Sequence, residues 1–589
     1  MSLFSIIATR FDVSRIRPTG GTVASTQTAT AQPGWSWTLP LPQVRVKWSL
    51  LIATLITLSV LIPIAVLATE LFKFDLALWQ HMWENTLPTA LVNTLWMIAG
   101  VGAGTIIIGT GTAWLVTAYD FPGRAWFDQL LLLPLAVPTF VMGFVFIGLM
   151  EPNGLVHTQW QAIFGADAWF PRLHSRFGVI MVMTLVLYPY VYILSRAAFR
   201  EQAATTFEAA RVMGYNRVQT FFKLVLPLAR PSIAAGTLLA VMEAMTDYGA
   251  VQFFDYPTLS QQVVVLWNRE YDWGSATQLA VMLLIVALTV IYLERALRGR
   301  AKYYQQGSAR GRRMQRVPMQ GWHKWAATGG LTTLLSLGFF IPVAQLIIWV
   351  REEISSPQTG DAWKEVYGEH IINSVQFAGV AAFVVTLFAV LVAYGVRAGN
   401  GASRIPRMLS RMVTLGYAMP GAVIAIGVIA VVNPIDADIS DFAESLGRTD
   451  PSYLLTGTMI AITYAYVVRF MAVGFNSVES SMEKVKPSME QAARTLGAGS
   501  ARVLWRIHMP LISTGMAAGA VLVFVDVMKE LPITLLLRPF GVDSLAIWAY
   551  IMASDDFWTS AAIPSLTIVV VGLIPVFILM RIGDNTRMS

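Results

Sequence analysis

Twelve long apolar segments constrain the fold of this chain more than any other feature. Each is roughly 20 residues long, the length that an α-helix needs to cross about 30 Å of hydrocarbon. They lie at 49–69, 92–118, 127–150, 177–195, 231–252, 277–293, 326–350, 371–396, 412–432, 454–474, 512–536 and 560–580. The segments form two sets of six. We therefore predict an all-α polytopic membrane protein of about 12 transmembrane helices, built as two six-helix halves.

The composition agrees with a location in the lipid bilayer. Hydrophobic residues make up 55% of the 589 residues and charged residues only 13%, which excludes an ordinary soluble globular protein. The absence of cysteine excludes disulfides, zinc thiolate sites and iron–sulfur clusters. The net charge of +7 arises mostly from basic loops on one side, so nucleic acid is not an expected partner.

The distribution of Lys and Arg predicts the orientation. The linker at 295–324 has nine basic and no acidic residues, and the loop at 397–411 has four and none. By contrast, 351–370 has five acidic and two basic residues, and 433–452 has five and one. Since basic loops stay on the cytoplasmic side, we expect both termini and the linker there.

These features divide the chain into four parts. Residues 1–46 are rich in small polar types and are predicted to be a flexible cytoplasmic tail. The first half covers 47–294, the basic linker 295–324, and the second half 325–589.

A polar motif occurs twice at matching places in the two halves. The first copy reads Glu208-Ala-Ala-Arg-Val-Met-Gly214, and the second reads Gln491-Ala-Ala-Arg-Thr-Leu-Gly497, 283 residues later. Twelve residues separate each Gly from a proline, Pro227 or Pro510. Each copy predicts a short helix that ends at its glycine. One copy could be ordinary helix-forming sequence, but two copies in register indicate that a partner binds both loops, 200–228 and 476–511.

Shorter matches extend the repeat. Ile62-Pro-Ile-Ala corresponds to Ile341-Pro-Val-Ala, and Asn93-Thr-Leu to Asn373-Ser-Val. Tyr188-Pro-Tyr-Val is similar to Tyr464-Ala-Tyr-Val. Because six spans return the chain to its starting side, the repeat is parallel, and a pathway is expected between the halves.

The duplicated motif resembles the cytoplasmic loop of permease subunits of bacterial ABC importers. In that family the loop forms a coupling helix on a separate ATPase subunit, and the resemblance covers nearly the whole chain after residue 46. It implies two copies of a cytoplasmic ATPase, which would hold ATP and Mg²⁺, a periplasmic substrate-binding protein and a location in the bacterial inner membrane. One departure is that Gln491 stands where Glu208 stands, with Glu490 one place earlier. The implied ATPase-coupling residues are Glu208, Ala209, Ala210, Arg211, Gly214, Pro227, Glu490, Gln491, Ala492, Ala493, Arg494, Gly497 and Pro510.

This chain is not expected to be the ATPase itself. No Gly-Lys dipeptide occurs in the sequence, so it has no phosphate-binding loop of the Gly-rich type. We expect a transport subunit that is not an enzyme and carries no cofactor of its own.

Acidic residues within the fifth and eleventh spans predict a translocation path. Glu243 and Asp247 are four residues apart, which would place them on one helix face, and the same spacing of 283 leads to Asp526 and Glu530. Ionisable groups at this depth usually face a cavity or a partner. Lys529 could instead pair with Asp526 or Glu530 as a structural ion pair. The candidate path residues are Glu243, Asp247, Tyr248, Asp526, Lys529, Glu530, Tyr188 and Tyr464, and no metal ligand is assigned.

Several segments resemble the ferric iron branch of these permeases. They include Thr246-Asp-Tyr-Gly-Ala-Val, where that branch tends to have Ala-Asp-Phe-Gly-Thr-Val, and Asp526-Val-Met-Lys-Glu-Leu-Pro. Carboxylates and tyrosines also suit a hard trivalent cation, although they would suit a protonated amine as well. The resemblance implies import of ferric iron. The alternatives are the same machine for thiamine or 2-aminoethylphosphonate and, more remotely, an ion-coupled secondary transporter.

Overall fold

The computed structural model describes residues 48–72, 76–152, 154–201, 210, 212–268, 270–298, 316–356, 363–398, 404–446 and 454–588. The predicted tail and most of the basic linker lie outside these residues. Within them the chain is almost entirely helical, with one parallel pair of two-residue strands, β1 (Tyr119–Asp120) and β2 (Val317–Pro318).

The first half contains twelve described α-helices. They are α1 (Trp48–Thr69), α2 (Leu76–Asn85), α3 (Leu87–Ala118), α4 (Arg124–Leu130), α5 (Thr139–Met150), α6 (Leu155–Phe164), α7 (Arg176–Glu201), α8 (Arg217–Thr220), α9 (Leu226–Thr246), α10 (Gly249–Phe253), α11 (Leu259–Asn268) and α12 (Trp273–Arg298). Two 3₁₀ turns, Glu70–Phe72 and Leu133–Ala136, and a π-helical turn, Phe221–Val225, complete it.

The second half repeats this order. Its α-helices are α13 (His323–Leu335), α14 (Ile341–Ser355), α15 (Trp363–Ala398), α16 (Arg404–Met412), α17 (Gly421–Ser445), α18 (Met459–Glu483), α19 (Pro487–Thr495), α20 (Ser500–Val503), α21 (Met509–Met528), α22 (Pro532–Leu537), α23 (Leu545–Ser554) and α24 (Trp558–Met588). A 3₁₀ turn at Leu415–Ala418 and π-helical turns at Ser336–Phe340 and Leu504–His508 lie between them.

The predicted number of membrane spans is confirmed. Among the described residues, twelve helical stretches are long and apolar enough to cross a bilayer, six in each half. In a bilayer the backbone groups must be satisfied within the protein, and these helices meet that requirement internally.

The predicted third and ninth spans are not continuous helices. Where 127–150 was predicted as one span, α4 ends at Leu130, a 3₁₀ turn follows, and α5 begins after Pro138. The second half has the same break before Pro420, at the start of α17. Proline disfavours helical geometry in the residue before it, and Val137 and Met419 are both extended.

The predicted fifth and eleventh spans end too late. Sequence patterning predicted 231–252 and 512–536, but α9 ends at Thr246 and α21 at Met528. Apolar residues resume in α10 and α22 after Asp247 and after Lys529-Glu530, so the hydrophobicity of each whole segment did not reveal the turn between each pair of helices.

The first long helix of each half packs on the other half. Helix α1 packs against α15 and α17, where Gly395 approaches Ser49 and Gly427 approaches Pro63. The equivalent helix α14 packs against α5 of the first half and against α24 of its own half. The first helix of each half thus contacts the other half, and buried residues of both halves form one apolar core.

The repeat seen in the sequence is also a repeat of contacts. The side-chain amide of Asn93 donates to the carbonyl of Pro257 (2.9 Å), and that of Asn373 donates to the carbonyl of Asp543 (3.1 Å). The next residues, Thr94 and Ser374, accept the first backbone N–H of α11 and α23 through their hydroxyls. Equivalent residues thus position equivalent helices.

Candidate functional site

Each duplicated loop motif ends in the same backbone structure. The first leaves its helix at Gly214, with φ of +76°, and the second at Gly497, with φ of +79°. The amide of Tyr215 donates to the carbonyl of Ala210, and that of Ala498 to the carbonyl of Ala493, both at 3.0 Å. This hydrogen bond from an amide to the carbonyl five residues earlier is typical of the Schellman motif, a helix ending that requires a left-handed residue such as glycine.

The structure describes the second motif more fully than the first. Glu208, Ala209 and Arg211 lie outside the described residues, whereas Ala210 is buried. In the second motif, α19 carries Glu490, Gln491, Ala492, Ala493 and Arg494. Within the motifs, Val212 and Leu496 are more than four-fifths exposed, so each loop presents an apolar side chain at its surface.

A π-helical turn links each motif to the span that follows. These turns, Phe221–Val225 and Leu504–His508, are in register at the 283-residue spacing and lead directly into α9 and α21. Pro227 and Pro510 occupy the second position of those helices, directly after the π-helical turns, and proline has no N–H to donate to the turn before it. Single π turns often mark functional sites, and both connect the loops to the helices that line the cavity described below.

The two loops are anchored by different chemistry. In the second half, the Nε of Arg397 donates to the Glu490 carboxylate and its Nη2 donates to the carbonyl of Val485 (2.5 Å). The Nε2 of the buried His508 lies 3.3 Å from Glu490. In the first half, Trp114, Phe199 and Phe221 form a cluster of aromatic rings, with centroids 5.0 to 6.3 Å apart.

A cavity of about 80 Å³ lies between the halves, where the path was predicted. Four carboxylates and two cations line it, from Glu243, Asp247, Asp526, Glu530, Arg469 and Lys529. Its lining also includes Tyr248, Tyr190 and Tyr417. A volume of this size admits a few water molecules or a small ion with part of its hydration shell.

Asp247 and Glu530 hold the turns that interrupt the fifth and eleventh spans. The Oδ1 of Asp247 accepts the backbone N–H of Ala250 (2.7 Å), and the Oε2 of Glu530 accepts that of Ile533 (3.1 Å). Each carboxylate thereby satisfies a free donor at the start of a short helix, α10 or α22. The duplicated acids therefore have a structural task in addition to lining the cavity.

The prediction that Glu243 and Asp247 share a helix face was wrong. Helix α9 ends at Thr246, and Asp247 has left helical geometry, with φ of −67° and ψ of 126°. Both side chains still reach the same cavity, because the turn redirects Asp247 toward it.

The second carboxylates of the two pairs, Asp247 and Glu530, have different partners. The hydroxyl of Thr139 donates to Asp247, whereas Glu530 faces the guanidinium of Arg469, with 3.8 Å between Oε1 and Nε. Gly421 occupies the position of Thr139 at the start of α17, and a β-carbon there would lie 2.7 Å from Glu530 Oε1. Lys529 pairs with Asp526 at 2.9 Å, which is one of the two pairings predicted for it.

Of the three tyrosines predicted for the path, Tyr248 lines the cavity, but Tyr188 and Tyr464 do not. The hydroxyl of Tyr188 donates to the carbonyl of Leu131 (3.1 Å), and that of Tyr464 donates to the carbonyl of Ser59 (2.6 Å). Tyr188 is wholly buried within the first half, whereas Tyr464 bridges α18 to α1. Because their contacts differ, the similarity of the two segments does not reflect equivalent roles.

Sequence reasoning missed Arg469, Tyr417 and Thr139. Arg469 had a detectable signal, since it is a charged residue inside an otherwise apolar predicted span, and such residues usually face a cavity or a partner. Thr139 and Tyr417 had none, because polar and aromatic side chains are common in membrane helices.

Tyr248 joins the two halves beside the cavity. Its hydroxyl lies 2.6 Å from that of Tyr550, and both residues are buried. The rings belong to a cluster that also includes Phe253 and Phe144.

The cavity carboxylates do not converge on one point. Among the described residues, no group of three or more His, Asp or Glu side chains is arranged to hold a metal ion. The acids instead surround the cavity and are held by hydrogen bonds and ion pairs.

Comparison with known families assigns the class of protein. The family described as binding-protein-dependent transport system inner membrane component matches residues 105–298 and 391–586, together more than half of the chain. The chain belongs to this family and carries its domain twice, as two fused halves. It is a multi-pass inner membrane protein, and its relatives are transport permeases rather than enzymes.

Particular relatives narrow the comparison. The Fe(3+)-transport system permease protein FbpB 2 of Haemophilus influenzae is 24% identical over 92% of this chain and 99% of its own length. The ferric transport system permease protein FbpB of Actinobacillus pleuropneumoniae is 22% identical over 85% of this chain and 72% of its own. The sulfate transport system permease protein CysT of Escherichia coli is 28% identical, but over 42% of this chain and 89% of its own.

Proposed function

We propose that this chain is the membrane permease of an importer that moves ferric iron across the inner membrane. The observation that carries the proposal is the match to an Fe(3+)-transport permease over nearly the full length of both proteins. The charge of the cavity supports it, because four carboxylates outnumber two cationic side chains. An excess of hard oxygen donors favours a hard cation over sulfate, and the sulfate permease CysT matches only 42% of this chain.

The loops and the cavity have complementary parts in this mechanism. Two copies of an ATPase subunit bind the two loop motifs on the cytoplasmic side, where both termini also lie. A periplasmic binding protein delivers the cargo to the opposite face. Movement of the loops passes through the π-helical turns to α9 and α21, which bear Glu243 and Asp526. The halves then expose the cavity alternately to each side, and Glu243, Asp247, Asp526 and Glu530 line the route.

The deciding experiment is uptake of radiolabelled ferric iron by cells lacking this gene and a second active iron importer. We expect uptake to be lost without the gene and restored by a plasmid that carries it. Restoration by the Gly499→Ala variant, which changes an open site in the second loop outside the motif at 491–497, provides a matched control. Unchanged iron uptake, with loss of thiamine, 2-aminoethylphosphonate or sulfate uptake, would overturn the assignment of iron while leaving the permease class intact.

A further inference from the structure

Arg469 is placed where it can hold the two halves together across the cavity. It belongs to α18 of the second half, and its side chain is only 8% exposed. Its Nη2 lies 4.0 Å from Oε2 of Glu243 in the first half, and its Nε lies 3.8 Å from Oε1 of Glu530 in the second. One guanidinium therefore faces a carboxylate from each side of the cavity.

The first half has no arginine at the equivalent position. Gly236 packs on Val191, and Gly519, which is 283 residues later, lies closest to Ser477 and Gly474. Gly474 is also 283 residues after Val191, so the same spacing relates the two packing partners. By this spacing the position equivalent to Arg469 is Val186. Val186 also lines the cavity. The ion pair across the cavity is therefore a single, asymmetric contact rather than a duplicated packing feature.

The geometry of Arg469 leaves this contact weak enough to break. Within the described part of the chain, its Nε and the Oε1 of Glu530 form no hydrogen bond with any residue, and they face each other beyond hydrogen-bonding distance. Glu243 is 35% exposed, so water can replace the guanidinium beside it. A pair at 4 Å in a partly wet site is a moderate interaction that a conformational change can overcome.

We propose that the Arg469–Glu243 pair is a latch that keeps the cavity closed at rest and that a cationic cargo must displace. While the cavity is empty, the guanidinium of Arg469 compensates part of the negative charge of the carboxylates. When the halves separate, the latch opens and leaves Glu243 and Glu530 available to the cargo. This inference rests on the proposed path between the halves.

The natural absence of cysteine allows a direct test. Val186→Cys places a single thiol in the cavity without removing a polar contact, and Ala166→Cys in an exposed segment reports that the protein has inserted. Full-length variants are expressed with their partner subunits, the cells are depleted of ATP, and the thiol is labelled with membrane-impermeant methanethiosulfonates of either charge. In the otherwise native chain we expect slow labelling at Val186→Cys.

Loss of the latch should expose the cavity. We expect Arg469→Gln to accelerate labelling of Val186→Cys about tenfold and to favour the cationic reagent over the anionic one, whereas Arg469→Lys stays close to the native rate. Glu243→Gln breaks the same pair without leaving the buried arginine alone, so it decides the question if Arg469→Gln fails to insert. The double variant Arg469→Gln/Glu243→Gln should label no faster than Arg469→Gln alone, because the two substitutions remove the same interaction.

Two results would overturn the proposal in different ways. Native-like labelling rates in Arg469→Gln and Glu243→Gln would reject the latch but leave the path standing, provided that Val186→Cys becomes reactive when ATP and ferric cargo are supplied. If that thiol never reacts in any state, while Ala166→Cys does, the cavity is not on the path and both proposals fail.

Discussion

Asp247 and Glu530 occupy equivalent turns in the two halves, and each accepts the backbone N–H of the third residue after it. Their remaining oxygens differ, because Asp247 accepts from a neutral hydroxyl of Thr139 and Glu530 faces the charged Arg469. The same turn is thus held in a neutral setting on one side and a charged setting on the other.

This difference predicts unequal costs for neutralising the two acids. Asp247→Asn keeps an acceptor for Ala250 and a partner for Thr139, so we expect a loss of about 1 kcal/mol or less. Glu530→Gln keeps the bond to Ile533 but leaves Arg469 facing only one of its two carboxylates, Glu243 at 4.0 Å, and we expect a larger loss of roughly 2 kcal/mol because the buried guanidinium loses one of its two anionic partners. Thermal unfolding of the purified variants in detergent measures both. Equal shifts of the midpoint would contradict the assignment of Arg469 to Glu530.

Gly421 should tolerate no side chain. A β-carbon there would meet Glu530 Oε1 at 2.7 Å and Arg469 Nη1 at 3.0 Å. Since both groups are buried, Gly421→Ala is expected to cost about 1–3 kcal/mol and to lower transport. Gly379→Ala is the control, because nothing lies within 4 Å of a β-carbon there and alanine favours the helix by about 1 kcal/mol. A Gly421→Ala variant as stable as the control would show that the turn is not tightly packed.

Gly214 and Gly497 should be required for coupling rather than for packing. Both have positive φ, and a β-carbon would meet no atom within 4 Å at either position. Replacing both with valine should therefore act through the backbone, at roughly 1–2 kcal/mol each, and deform the loop ends. We expect transport to be abolished while the protein still inserts, as judged by its amount in membrane fractions. Normal transport by the double variant would reject the coupling role, and Gly499→Ala is again the control.

Arg397 should be required for the function of the second loop. Its guanidinium donates to the Glu490 carboxylate and to the carbonyls of Met482 and Val485. Arg397→Gln therefore removes the hydrogen bonds that position α19. We expect uptake to fall about tenfold or more, because misplacing a coupling element acts on every transport cycle. Arg404→Gln, at an exposed arginine nearby, should keep native uptake. Rescue by Arg397→Lys would show that charge alone is sufficient.

The sequence predicted the membrane spans and the duplication, because both depend on long apolar runs and on spacing. It did not predict where those runs break. The residues from Leu131 to Pro138 are as apolar as the helices beside them, so Pro138 redirects the chain without a change in hydrophobicity, whereas the single Asp247 that marks the second break lies within a longer, mainly apolar stretch. Four carboxylates of the cavity were found through their duplication, whereas Arg469 escaped because it is not duplicated.

That single arginine has a consequence for how such a membrane protein is encoded. In a homodimer of one six-helix subunit, a two-fold axis would copy every side chain, and two guanidiniums would face each other where Arg469 and Val186 now differ. A single polypeptide that contains both halves is not bound by this symmetry, so it can have a charged residue in one half without a copy in the other. Separate genes could also differ, but they would have to exclude the symmetric pairings during assembly. Covalent fusion makes the mismatched pairing the only one available within a chain.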